Sequence, residues 1–166
     1  MTALDQYVTI QDYLQGRRCV ITGSGGTIGR TFAEFIASCG GVPILVDVAP
    51  QAETEAAVTA HGANYSAHQV DISDVGAIEA FYKNVAERHG GVDMLINNAG
   101  LLSEVSLLDM TEDDWDRVLD VNAKGAVFMS QGAVRLMQDG EGGRQIVNVV
   151  ALAALVGGLY VGAPYV

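Results

Sequence analysis

A chain of 166 residues, 49% apolar and 17% charged, has the length and composition to fold around a sizeable core. Its formal charge of −11 excludes a surface for the nucleic-acid backbone, which needs a basic face, and reads as ordinary solubility. Two cysteines, Cys19 and Cys39, stand in no metal-like or CxxC spacing and read as buried, reduced thiols.

Residues 1–17 form a lead-in, with a short helical turn expected over 10–15 and a break at Gly16. The lead-in carries acidic residues and no long apolar run, so it is neither a secretory signal nor a membrane span. A cytoplasmic protein is the simplest expectation. Cys19, Val20 and Ile21 then make a short apolar strand that runs into Thr22-Gly23-Ser24-Gly25-Gly26-Thr27-Ile28-Gly29. A helical pattern follows at once, with Phe32, Phe35 and Ile36 as its apolar stripe and Gly40-Gly41 as its stop. A strand feeding a glycine-rich turn into a helix N-terminus is the arrangement that binds phosphate. Small residues admit the anion, free N–H groups point at it, and the helix dipole favours negative charge.

The second strand covers 42–46 and closes on Asp47. Asp47 lies about twenty residues past the glycine turn, where a carboxylate bonds both ribose hydroxyls of an adenosine and repels a 2′-phosphate. NAD is therefore expected over NADP, with Val48 beside Asp47 at the same site. A helix over 51–61, a strand over 64–70 and a helix from 73 or 74 to 89 come next. The last of these buries Ile78, Phe81, Tyr82 and Val85 and stops at Gly90-Gly91. A fourth strand covers 92–96. Thr111 caps an acidic turn (Glu112, Asp113, Asp114) that opens one long helix to about 138. That helix holds Trp115, Val118, Leu119, Val121, Val127, Phe128 and Met129 as its apolar residues. The fifth strand covers 144–150, and an apolar, glycine-rich stretch ends the chain. Strands that are continuous apolar runs, alternating with helices, predict a doubly wound parallel sheet in three α/β/α layers, the Rossmann arrangement. Ligands of such sheets bind at the carboxyl ends of the strands, where the marked residues fall.

Several motifs in series resemble the classical short-chain dehydrogenase/reductase family, over residues 14–166. The turn from Thr22 to Gly29 resembles the family's TGxxxGxG, with Thr27 where the middle glycine usually stands. Val70-Asp71-Ile72 resembles the segment that holds the adenine. Asn97-Asn98-Ala99-Gly100 is the family's NNAG, which steadies the central sheet and leaves room for the cofactor. Val121-Asn122, followed by Ala123-Lys124-Gly125, resembles the helix that bears a structural and catalytic asparagine holding a water in a proton relay.

The resemblance implies one NAD(P)-binding domain over 1–166 and hydride transfer between NAD(H) and an alcohol or carbonyl carbon. It implies cofactor contacts from Gly23 to Gly29, at Asp47, Val48, Asp71 and Ile72, and at Asn98, Ala99 and Gly100. It also implies a small alcohol or ketone substrate and a homo-oligomer, dimer or tetramer. Two departures bear on catalysis. Ala151 stands at the family's serine, the group that orients the substrate oxygen. Tyr165 fits the spacing of the family's acid/base tyrosine, but its lysine four residues on would fall past Val166; Tyr160 has Pro164 at that place. A tyrosine without a neighbouring cation stays near pKa ~10 and is a poor base at neutral pH. The chain thus reads as the N-terminal part of a longer enzyme, with a dinucleotide-binding module without turnover as the second reading. A flavodoxin-like protein for another phosphate ligand is a third, which NNAG and the Asn122 segment disfavour.

Overall fold

The computed structural model describes residues 9–138 and 143–152. Five parallel strands, β1 (Arg18–Thr22), β2 (Val42–Asp47), β3 (Ser66–Gln69), β4 (Met94–Asn97) and β5 (Gln145–Asn148), form one sheet in the order β3-β2-β1-β4-β5. Alternate residues of the strands feed two cores. Val20, Ile44, Val46 and Leu95 face α4 (Val75–His89) and α6 (Ala126–Met137). Cys19, Ile21, Leu45, Met94 and Ile96 face α1 (Ile10–Leu14), α2 (Thr27–Ser38) and α3 (Ala52–Ala60). β1, β2 and β4 are therefore buried on both sides, which explains strands that read as unbroken apolar runs. Both cysteines are free and buried, and burial pushes the Cys19 thiol up to about 12.

The local stop and start signals act as expected. Gly16, Gly40 and Gly90 adopt positive φ at element ends, and Asp74 caps α4 by accepting from the N–H groups of Gly76 and Ala77. Thr111 and Asp114 form a reciprocal capping box on α5 (Glu112–Leu119). Strand ends are shorter than the apolar runs: β3 lacks residues 64, 65 and 70, and β5 stops at Asn148, leaving Val150 83% exposed.

Two expectations are corrected. Phe35 is 45% exposed; Ala33, Ile36 and Ala37, three and four residues apart, are the face that α2 buries. The long helix of residues 112–138 is not continuous. A π-helical segment, Asp120–Gly125, separates α5 from α6. Val118 is buried before it, Gly125 within it, and Met129, Ala133 and Met137 after it. Trp115 (44% exposed) and Val127 (62%) point outward.

At the opposite end of the sheet from the glycine turn, Asp93 gathers β1 and β5. Its Oδ2 accepts from the Arg18 backbone N–H (2.9 Å) and Nε (2.7 Å), and its Oδ1 pairs with the Arg144 guanidinium at 2.5 Å. Burial pushes this carboxyl up, but the Arg18 hydrogen bonds and the two guanidinium charges outweigh it and leave it below its ordinary range.

Candidate dinucleotide-binding site

β1 and β4 are neighbours, and the connections from their carboxyl ends run in opposite directions, to β2 and to β5, which opens a crevice there. The crevice is a cleft of about 1000 Å³. Its floor is the turn from Gly23 to Gly29. Gly23 has φ +66°, and a Cβ on it would lie 2.8 Å from the Ala99 Cα, so only glycine lets the ends of β1 and β4 close up. The closure is hydrogen-bonded. The Thr22 hydroxyl accepts from the N–H groups of Asn98 and Ala99, each at 3.0 Å, and Asn98 Nδ2 donates to the carbonyls of Thr22 (3.0 Å) and Gly23 (3.1 Å). The expected sheet-steadying role of NNAG has this geometry.

Gly26 is the N-cap of α2 and provides no side-chain cap, so the first N–H groups of the helix are left facing the cleft. Thr27, at the place of the family's middle glycine, opens the helix with a right-handed φ and is exposed to the cleft. Its side chain therefore takes up space in the cleft without straining the backbone. Gly29 packs α2 onto the turn: a Cβ on it would lie 2.7 Å from the Ser24 Cα.

Asp47 rims the cleft beside the turn. Its Oδ2 accepts from the Gly25 N–H and its Oδ1 from the Ala49 N–H, both at 2.9 Å. Each oxygen keeps a further lone pair for a ligand. Val48, 61% exposed, lies beside it, and Asp71 and Ile72 line the neighbouring wall. Asp71 is held by the N–H (2.9 Å) and hydroxyl (2.7 Å) of Ser73. Ile28, Asn98, Ala99 and Gly100 complete the set of expected residues that line the cleft.

Three expected residues stand differently. Ser24 is fully buried and turned away from the cleft; its hydroxyl donates to Gln51 Oε1. Asn122 is absent from the cleft lining. Its Oδ1 accepts from the Leu101 N–H (2.7 Å) and its Nδ2 donates to the Leu101 carbonyl (2.9 Å), so the side chain pins the segment after NNAG. Ala151 is partly buried and also outside the lining, and Tyr165 falls outside the described residues. Reading the sequence missed Arg117, Asp120 and Val121, which close the far wall. Their i, i+3, i+4 spacing marked a common helix face, but nothing local said which ligand that face meets. Gln51 and Thr54, buried beneath the turn, were missed as well.

The cleft suits a nucleotide: Gly23 and Gly29 where a Cβ would collide with backbone, orphan N–H groups at a helix start, and a carboxylate at the end of the adjacent strand. Among the described residues, no helix is long and apolar enough to cross a membrane, and no cluster of potential metal ligands exists. The fold and cleft together define a parallel α/β nucleotide-binding protein.

The short chain dehydrogenase family model matches residues 17–166, and the chain belongs to that family. It is 32% identical over 149 residues to the 2-dehydro-3-deoxy-D-gluconate 5-dehydrogenase of Escherichia coli K12, covering 89% of this chain and 58% of the relative. It is 34% identical over 141 residues to the galactitol 2-dehydrogenase of Agrobacterium fabrum C58, covering 84% and 54%. The crystal structure of an NAD+-bound xylitol dehydrogenase superimposes with a TM-score of 0.83 at 30% identity, over 92% of this chain and 59% of that one. The chain thus spans a little over half the length of the relatives that it matches.

Proposed function

We propose that the protein binds a nicotinamide adenine dinucleotide, NAD in preference to NADP, and transfers hydride between it and a small alcohol or ketone. The observation that carries the reading is the junction of turn and carboxylate, with the Gly25 N–H on Asp47 at the mouth of the glycine cradle. The residues divide the work. The α2 N-terminus receives the pyrophosphate, Asp47 the adenosine ribose, and Asp71 with Ile72 the adenine. Asn98, Ala99 and Gly100 leave the path along β4 open. The bound dinucleotide supplies the hydride acceptor or donor.

Dehydrogenase names among the relatives and the NAD+ in the xylitol dehydrogenase structure support this assignment. Family resemblance extends it to Tyr165 as acid/base, Asn122 in the proton relay and a homo-oligomeric state. Ala151 brings a methyl group where a serine would orient the substrate oxygen, so weak turnover is expected of this site. The testing experiment is fluorescence titration with NADH and NADPH, repeated on Asp47→Ala. Saturable NADH binding that exceeds NADPH binding is expected. The variant should weaken NADH by roughly 10- to 100-fold, from the loss of charge-assisted bonds worth about 1.5–3 kcal/mol. Equal affinity for the two cofactors, unchanged in the variant, would refute the assignment of Asp47.

A further inference from the structure

Four of the eight polar side chains buried among the described residues, Thr22, Ser24, Gln51 and Thr54, lie at or behind the glycine turn. Thr22 ties the turn to β4, as described above. Ser24, Gln51 and Thr54 tie it to β3 and α3. Gln51 Oε1 accepts from the Ser24 hydroxyl, and Gln51 Nε2 donates to the His68 carbonyl at 3.0 Å. The Ser24 carbonyl accepts from Thr54 Oγ1 at 2.7 Å, and the Ser24 N–H donates to the Val46 carbonyl at 3.2 Å. Ser24 is thus held at its N–H, its carbonyl and its hydroxyl, while its neighbour Gly25 bonds Asp47. A Cβ built on Gly25 would lie 3.7 Å from the Gln51 Cγ, so the Gln51 stem lies close beside the turn.

Position 51 is the N-cap of α3, where Ser, Thr, Asp or Asn would bond the first N–H groups. Gln51 makes no such bond; its amide points into the protein instead. The helix forgoes a side-chain cap while the turn gains an anchor. We infer that Gln51, acting through Ser24, is a positioning residue that holds the glycine turn in the geometry that presents its N–H groups and Gly25 to the dinucleotide. The inference rests on the dinucleotide reading for its affinity effect only, because the rigidity of the turn is measurable without ligand.

The test compares Gln51→Leu, Ser24→Ala and, as a control, Val58→Ala, which truncates a buried side chain of α3 without touching the network. Amide hydrogen exchange at Ser24, Gly25 and Gly26, whose N–H groups bond Val46, Asp47 and Gly23, and NADH affinity are measured on each, beside urea unfolding. Gln51→Leu and Ser24→Ala are expected to speed exchange at the turn and weaken NADH, each roughly tenfold. Val58→Ala is expected to lose stability with turn exchange and affinity unchanged after correction for global unfolding. Gln51→Glu keeps the acceptor for Ser24 but sets a buried carboxylate against the His68 carbonyl, so faster turn exchange and weaker NADH binding are expected there too. Unchanged turn exchange in both Gln51→Leu and Ser24→Ala overturns the inference, as does an equal effect in Val58→Ala. A wild-type chain that binds neither cofactor overturns the proposed function instead, and turn exchange then decides this inference alone.

Discussion

Replacing Gly29 by Ala sets two opposed effects against each other. Gly29 lies in the first turn of α2, where Ala is favoured over Gly by about 1 kcal/mol of helix propensity. Against that, the new Cβ would fall 2.7 Å from the Ser24 Cα and 2.8 Å from the Gly23 carbonyl carbon, and closer still to the Gly23 oxygen. These are backbone atoms. Ser24 is held at three of its polar groups and Gly23 by Asn98, so neither yields as a flexible side chain would. Overpacking costs about 1–3 kcal/mol, and contact with fixed backbone belongs at the upper end. The clash therefore wins, and a net loss of about 2 kcal/mol is expected. With a denaturant slope of about 2 kcal/mol/M, that moves the urea midpoint down by about 1 M. Gly26→Ala is the matched comparison. Its Cβ meets only the Gly23 oxygen, at an ordinary 3.5 Å, and its φ of −77° suits any residue. It should cost no more than about 1 kcal/mol, from the poorer N-cap, while still narrowing the cleft and weakening NADH. A Gly29→Ala variant as stable as wild type, or less damaged than Gly26→Ala, would refute the packing argument.

Two further perturbations test the electrostatics. Asp93→Asn leaves the Arg18 and Arg144 guanidiniums facing a neutral amide. A loss of about 2 kcal/mol is expected in urea unfolding at pH 7, short of the figure for fully buried pairs because Arg18 is 26% exposed. Because the folded Asp93 carboxyl titrates below its ordinary 3.8, its contribution is complete above that value and is lost as pH falls through the range below it. The gap between wild type and variant should therefore narrow on acidification; a gap independent of pH would exclude an ionic origin. The second concerns the Ser66 hydroxyl, which lies 2.9 Å from Nε2 of both His68 and His89. Burial lowers both imidazoles below the ordinary 6.5, and the Arg88 charge lowers them further. The unfolded chain then binds protons more readily than the folded one, so stability is complete above about 6.5 and declines as pH falls below it. Unfolding midpoints should drop between pH 7 and 5, and His68→Asn should flatten that slope; an unaltered slope would remove His68 from the account.

The legible parts of this site share a local cause. Gly23 and Gly29 stand out because a turn from strand to helix needs them within a few residues. Asp47 stands out because a strand end at that distance from the turn has one neighbour to serve. The illegible parts needed distant chain. Ser24 carries no mark separating a cofactor contact from a buried anchor until Gln51, on another element, takes its hydroxyl. The motif around Asn122 said nothing of its partner, the Leu101 peptide, which its amide matches as donor and acceptor at once. Phe35 and Trp115 fit an apolar periodicity yet face outward, because their elements bury a neighbouring face.

The sequence by itself determined the alternation of strands and helices, the parallel sheet, the glycine-rich turn and the carboxylate that follows it. Each depends on backbone freedom, capping or periodicity within a window of a dozen residues or so, and these are written in adjacent letters. Only the tertiary structure decided the strand order that sets Thr22 against Asn98, the π-helical segment between α5 and α6, and the convergence of Arg18 and Arg144 on Asp93. It also turned Ser24 inward and Arg117 toward the cleft. These arrangements arise from contacts between elements far apart in the chain, where packing and the pairing of buried polar groups select the partner and local propensity does not.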